Sequence, residues 1–114
     1  MSNSVRAYPE PLRTIAANAI GVGFTPLGTP FAHPIRLFKI VNTTDKTIIV
    51  SWDGLVSHDI VPSNGFVLYD ISSNKTSNSN DWNFAQGTQI HVTYSGVVAP
   101  TVGAVDLVAF YGQN

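Results

Sequence analysis

Apolar and polar residues alternate along most of this chain with the two-residue period of β-strands. Residues 47–53 place Ile48, Val50 and Trp52 on one face. Residues 88–94 place Ile90, Val92 and Tyr94 on one face, with Gln89, His91 and Thr93 opposite. Each reads as a strand with one face buried. Residues 35–41 and 103–111 are apolar on both faces and predict central strands, or strands with a second covered face. Asp106 alternates there with Ala104, Val108 and Phe110, which suggests an inward position needing a partner such as Arg36 or backbone N–H groups. Its expected role is structural or interfacial.

The punctuation between these runs agrees. Asp53-Gly54 predicts a tight hairpin turn joining residues 47–52 to residues 55–60. Pro62-Ser-Asn-Gly65 separates that second strand from residues 66–70, and Asn42-Thr-Thr-Asp-Lys46 turns between two more runs. No segment sustains a helical apolar period with caps. Short strands spaced by roughly 8–12 residues predict an all-β fold, an antiparallel β-sandwich or jelly-roll of about seven or eight strands.

Two segments break the regularity. Residues 72–81 form a polar stretch of Ser, Asn, Thr, Lys and Asp, expected to be a loop pinned to the core by Trp82 and Phe84. The other is residues 1–34, where Pro9, Pro11, Pro26 and Pro30 forbid a central strand because proline donates no ladder hydrogen bond. Residues 13–20 fit a strand at most. The predicted organisation is an extended N-terminal arm over residues 1–34 and a sandwich domain over residues 35–114. The arm carries apolar anchors, chiefly Tyr8, Leu12, Ile15, Phe24, Leu27 and Phe31, that a solvated tail does not need. They are expected to contact a neighbouring chain in an assembly. The alternative is that the arm folds back as an edge strand and buries them in its own core.

Composition sharpens this expectation. At 114 residues the chain is the size of one domain, and with no cysteine it has neither disulfide nor thiolate chemistry. Only 11% of residues are charged, against about 25% in an average soluble domain. Protein interfaces are depleted of Lys, Glu and Asp in the same way, so much of this surface is expected to face other protein. The six Lys and Arg residues are scattered, with no basic run for phosphate, so nucleic acid is not expected as a partner. No apolar stretch approaches the ~20 residues of a membrane helix. The first residues lack the apolar core of a secretion signal.

Catalytic chemistry finds little to work with. His33, His58 and His91 have no metal-ligand spacing. Ser51, His58 and Asp59 lie near one predicted hairpin, but no Gly-x-Ser-x-Gly elbow exposes the serine, which reads as an ordinary strand residue. The single glutamate, Glu10, lies among prolines, and most aspartates sit at turns. A calcium site from Asp70, Asn74, Asn78 and Asp81 matches no EF-hand pattern, and a solvated loop is the simpler reading. No catalytic residue, cofactor or metal is therefore expected. A binding module of another class remains: Trp52, Tyr69 and Trp82 are able to form a stacking platform for a carbohydrate or a receptor if exposed. Trp52 alternates with Ile48 and Val50 and reads as core, which leaves Trp82 as the candidate exposed aromatic.

The run from Ile40-Val-Asn42 through Ser51-Trp-Asp-Gly54, Tyr69-Asp-Ile-Ser-Ser-Asn74 and Gly87-Thr-Gln-Ile90 resembles small virion structural proteins of tailed bacteriophages. The resemblance spans residues 35–112 and leaves the arm uncovered. It implies a non-enzymatic β-sandwich, made in the host cytoplasm, that forms homo-oligomers and joins other virion proteins. The foremost role it implies is a capsid decoration or cement protein bound to the major capsid protein. A neck, collar or tail component at the head–tail junction is the alternative.

Overall fold

Backbone pairing follows the sequence alternation closely enough to build two antiparallel sheets. A computed structural model of the chain describes residues 6–71 and 83–113. Among them are nine strands: β1 (Arg6–Pro9), β2 (Arg13–Ala16), β3 (Thr25–Pro26), β4 (Leu37–Asn42), β5 (Ile48–Ser51), β6 (Asp59–Val61), β7 (Gly65–Asp70), β8 (His91–Tyr94) and β9 (Ala104–Gln113). One sheet runs β1-β9-β4-β7 with β2 also on β9, and the other runs β3-β8-β5-β6. The only helical element among the described residues is a 3-10 turn at Ala17–Ala19.

The two sheets pack as a sandwich around Phe38 and Ile40 of β4, Ile48 and Val50 of β5, Val92 of β8, and Val105, Leu107 and Ala109 of β9. Each of the larger side chains contributes about 1.5–3 kcal/mol by leaving water. Because Val105, Leu107 and Ala109 face inward, Asp106 belongs to the outer face of β9 with Ala104, Val108 and Phe110. The inward position expected for it is corrected.

The separate arm is also corrected from Arg6 onward. β1 and β2 lie end to end along the same edge of β9, and β3 pairs with β8. Pro9 and Pro26 thus occupy edge strands, where the missing N–H costs no ladder bond. Ile15, Ile20, Leu27 and Phe31 are buried in the chain's own core. The physical reason is the demand of that core: without them one end of the sandwich would lie open to water. Residues 6–34 and the strands that follow form one body.

The join between β1 and β2 is a bulge. Pro9 pairs with Phe110 and Arg13 with Leu107, so residues 10–12 face only Val108 and Ala109. Glu10 N–H still donates to the Ala109 carbonyl at 2.9 Å. One extra residue reverses the side-chain alternation downstream of it.

The predicted tight turn at Asp53-Gly54 opens instead into a loop over residues 52–58, with pairing confined to Ile48–Val50 against Asp59–Val61. Side chains capture the backbone groups that a tight hairpin would pair. Ser51 Oγ accepts from Gly54 N–H (2.9 Å), Asp53 Oδ1 from Leu55 and Val56 N–H (2.8 and 3.1 Å), and His58 Nδ1 from Trp52 N–H (3.0 Å). Such local bonds compete with the ladder.

A second polar knot joins the β4–β5 and β6–β7 turns. The fully buried Asn42 donates from Nδ2 to the carbonyls of Lys46, Val61 and Pro62 (2.9, 3.0 and 3.1 Å). Its Oδ1 accepts from the N–H and hydroxyl of Thr44 (2.9 and 2.6 Å). Both ends of the amide are satisfied, as burial requires.

Candidate functional site

The outer face of the five-stranded sheet is the first candidate. In β7 the alternation turns Val67 and Tyr69 toward the core and leaves Phe66 and Leu68 outward, 65% and 50% exposed. Register sets Val41 of β4 beside Phe66, and Lys39 beside Leu68. On the other side of β4, Val41 pairs with Asp106, Lys39 with Val108 and Leu37 with Phe110. The result is one contiguous outward surface of Phe66, Leu68, Leu37, Val41, Val108 and Phe110, interrupted by Lys39, by Asp106 and, beside Leu37, by Asp70. Phe66 and Leu68 are exposed, while Leu37, Val41, Val108 and Phe110 are half-buried. Lone exposed apolar residues are ordinary, but a contiguous group of this kind marks a contact surface.

A second candidate lies at the open side of the sandwich, where the edge strands β6 and β7 approach each other. Trp52, His58, Asp59 and Tyr69 line an open pocket of about 330 Å³. Trp52 points inward as its alternation demands, packing on Phe38, Tyr69 and Phe84 at 5.2–5.5 Å between ring centroids. The strand has ended by this point, so part of the indole remains open to the pocket. Tyr69 donates a short hydrogen bond from its hydroxyl to Asp59 Oδ2. Burial pushes the phenol's pKa well up, and the bond to Asp59 and that carboxylate's charge push it further. Tyr69 therefore stays a hydroxyl donor at any physiological pH. Aromatic walls beside a fixed carboxylate and an imidazole make a polar-apolar surface of the kind that holds a small hydroxylated ligand.

The Ser51, His58 and Asp59 set is not assembled as a triad. Ser51 is fully buried, and its Oγ donates to Asp53 Oδ1 at 3.0 Å. His58 Nδ1 is occupied by the Trp52 N–H, and Asp59 is engaged by Tyr69 and by the Ile60 N–H. His91, expected on a polar face, is half-buried beneath the residue 52–58 loop, its ring close against Gly54. The same face of β8 is covered farther along, where the Thr93 hydroxyl donates to the Gly21 and Val22 carbonyls (2.9 and 3.0 Å).

The predicted assembly contacts separate. Ile15, Leu27 and Phe31 are core residues, which corrects their assignment to a neighbouring chain. Tyr8 is half-buried and stacks on Tyr111 at 5.6 Å, and Phe24 is also half-buried. Leu12, at the bulge, is 62% exposed and alone of the six keeps a largely free side chain. Trp82 and the polar stretch holding Asn74, Asn78 and Asp81 lie outside the described residues. Among the described residues no group of three or more His, Asp or Glu side chains is placed to hold a metal ion.

Sequence reasoning missed Glu10. The bulge turns it inward on the same face as Arg13, and Arg13 Nη2 donates to Glu10 Oε1 at 2.7 Å. Arg13 also donates to the Thr29 and Pro30 carbonyls (2.6 and 2.9 Å) and lies over the Phe31 ring at 5.3 Å. His33 Nδ1 meets Glu10 Oε2 at 2.6 Å, with its ring stacked on Tyr111 at 3.7 Å. This clasp fastens the bulged edge strand to residues 29–33. No known family matches the chain, and no curated protein is similar to it.

Proposed function

We propose that this protein is a non-enzymatic structural component of a virion, a decoration protein that binds the capsid lattice and stabilises it. The observation that carries this reading is the outward apolar face of β9, β4 and β7, on which Phe66 and Leu68 are half or more exposed. The scarcity of charge and the resemblance noted above support it. The adhesive surface is thus a sheet face, and the N-terminal residues serve the fold. Particles assembled without the protein are expected to recover it from solution in hundreds of copies and to gain resistance to heat. Phe66→Glu and Leu68→Lys are expected to abolish recovery while the isolated protein stays folded, since both side chains are exposed. Recovery in only a single ring of copies would move the assignment to the neck or tail, and no recovery at all would sink it.

The Trp52–Tyr69 pocket favours a second reading, a carbohydrate-binding module. It expects binding on a glycan array that Trp52→Ala reduces by about 10-fold or more, the loss of a stacked aromatic. Absence of binding by the wild-type protein removes this reading.

A further inference from the structure

Of the sheet edges among the described residues, three are guarded against pairing and one is open. The edge along β1 and β2 carries Pro9 and is broken by the bulge at residues 10–12. β3 is two residues long and contains Pro26. β6 is three residues long, and its Ile60 N–H is taken by Asp59 Oδ1 at 2.7 Å. Proline, bulges and short length are ordinary means of blunting an edge. β7, by contrast, extends over six residues with neither proline nor lysine, and no described strand pairs with its free side.

Ladder parity shows which groups β7 offers there. Thr43 N–H donates to the Ala104 carbonyl (2.9 Å), so the odd-numbered residues of β4 bond to β9 and the even-numbered ones to β7. Ile71 N–H accordingly donates to the Arg36 carbonyl at 3.0 Å. In this register Phe38 and Ile40 bond to Tyr69 and Val67. The N–H and C=O groups of Phe66 and Leu68 therefore point to the open edge. Side-chain burial marks the same edge. Val67 and Tyr69 face the core but are only half-buried, whereas Ile40 and Phe38 beside them are 0% exposed.

We propose that β7 pairs with the β7 of a second copy, antiparallel and centred on Val67, joining two five-stranded sheets edge to edge. A two-fold axis through the joined sheet sets Val67 beside the partner's Val67, with Phe66 beside the partner's Leu68 and Leu68 beside the partner's Phe66. In each of these two flanking pairs both residues donate an N–H to the other's carbonyl, which makes four hydrogen bonds. On the outer face each pair lays a phenylalanine ring against a leucine, and on the inner face the two valines cover each other's open flank. A centre at Leu68 would instead set Phe66 against the partner's Asp70 carboxylate. A shift by half that distance would oppose outward backbone groups with ones already bonded to β4.

This pairing extends the assembly reading above and does not depend on it. It leaves the outer face of β9, β4 and β7 free for its own partner and makes that face continuous across two copies. An extended strand of another protein would satisfy the same backbone groups. A second copy, however, brings the matching apolar residues at the matching spacing, and two-fold pairing is the commonest closed symmetry.

Sedimentation equilibrium of the wild-type chain is expected to show a monomer–dimer equilibrium. Amide exchange followed residue by residue should show Phe66 and Leu68 N–H protected in the dimer and exchanging freely on dilution. Val67 N–H, bonded within the chain, should stay protected in both. Leu68→Pro removes an outward N–H and no bond to β4, and is expected to raise the dissociation constant at least 100-fold with far-UV circular dichroism unchanged. Leu68→Ala keeps that N–H and is expected to raise it by less than about 10-fold. The chain has no cysteine, so oxidation reads the register. A mixture of Phe66→Cys and Leu68→Cys chains should cross-link, because bonded antiparallel partners stand about 5.5 Å apart at Cα, within disulfide reach. A wild-type chain that stays monomeric at about 1 mM overturns the proposal, as does a dimer whose Phe66 and Leu68 amides exchange freely. Cross-linking of Leu68→Cys only to itself overturns the register. A monomer that still joins particles overturns only the edge pairing and leaves the virion reading standing. An edge-paired dimer that joins no particle does the reverse.

Discussion

Replacing Gly103 with alanine is expected to cost more than about 4 kcal/mol, a loss reserved for substitutions that break the backbone's own packing. Gly103 opens β9 with φ +84°, in the left-handed region where a side chain is strained. A Cβ there would stand 2.1 Å from the Thr43 carbonyl oxygen and 2.6 Å from its carbon. Both are backbone atoms, so no rotamer relieves the contact. Thr43 itself is held by its N–H to the Ala104 carbonyl (2.9 Å) and by Ala104 N–H to its hydroxyl (3.1 Å). Any displacement of Thr43 would also disturb Thr44, which is bonded to the buried Asn42. Gly96 gives the control, since its φ is +95° but nothing lies within 4 Å of a Cβ. Gly96→Ala should therefore cost only the conformational strain, about 1–2 kcal/mol. Denaturant unfolding of both variants checks the comparison. Equal losses for the two would show that the Thr43 turn yields, and the steric account would fail.

The sequence pattern disclosed the sandwich because the strands that matter most keep strict alternation. Ile48 and Val50 of β5, Phe38 and Ile40 of β4, and Val105, Leu107 and Ala109 of β9 are buried at every second position. Pro9 and Pro26 rightly barred β1 and β3 from the sheet centres, but the arm expected around them is edge strand from Arg6 onward. Pattern alone failed where both faces of a strand are apolar, since period two then carries no sign. In β7 and β9 the inward set could be chosen only by what lies across the sandwich, and Asp106 was placed on the wrong side for that reason. The outward apolar face was hidden by the same ambiguity: Phe66 and Leu68 look no more exposed in sequence than Val67 and Tyr69.

The opened hairpin has a different cause. Asp53-Gly54 is a strong turn signal, yet Ser51, Asp53 and His58 each offer a side-chain acceptor to the very N–H groups the turn would organise. Local composition around the signal held the warning. The sequence offers Trp52 and Tyr69 only as a conditional platform, with Trp52 read as core and Trp82 as the candidate; the meeting of Trp52 and Tyr69 with His58 and Asp59 depends on two edge strands from different sheets, a relation no local pattern contains.

Glu10 gives the second large effect, and its origin explains why it escaped notice. In a regular strand residues three apart point to opposite faces, so Glu10 and Arg13 should not meet. The bulge supplies the extra residue that brings them to one face. Both side chains are almost fully buried, at 1% and 5% exposure. Removing one member of such a pair leaves the other charged and uncompensated, and Glu10→Ala is expected to cost about 3–5 kcal/mol. The pH dependence supplies an independent signature. Burial raises the carboxyl's pKa, but hydrogen bonds from His33, Arg13 and the Ala32 N–H together outweigh it and hold Glu10 below its ordinary 4.5. A carboxyl with a depressed folded-state pKa binds protons more readily when unfolded. Its contribution is therefore complete above pH 4.5 and is lost as the pH falls below that value through the folded pKa. Denaturation midpoints of the wild-type protein should decline with acidification in that range. Those of Glu10→Gln, lower at neutral pH, should change less, so that the two curves converge toward acid. Parallel curves would mean that the carboxylate's charge contributes nothing to the clasp, and that shape alone holds the bulged strand to residues 29–33.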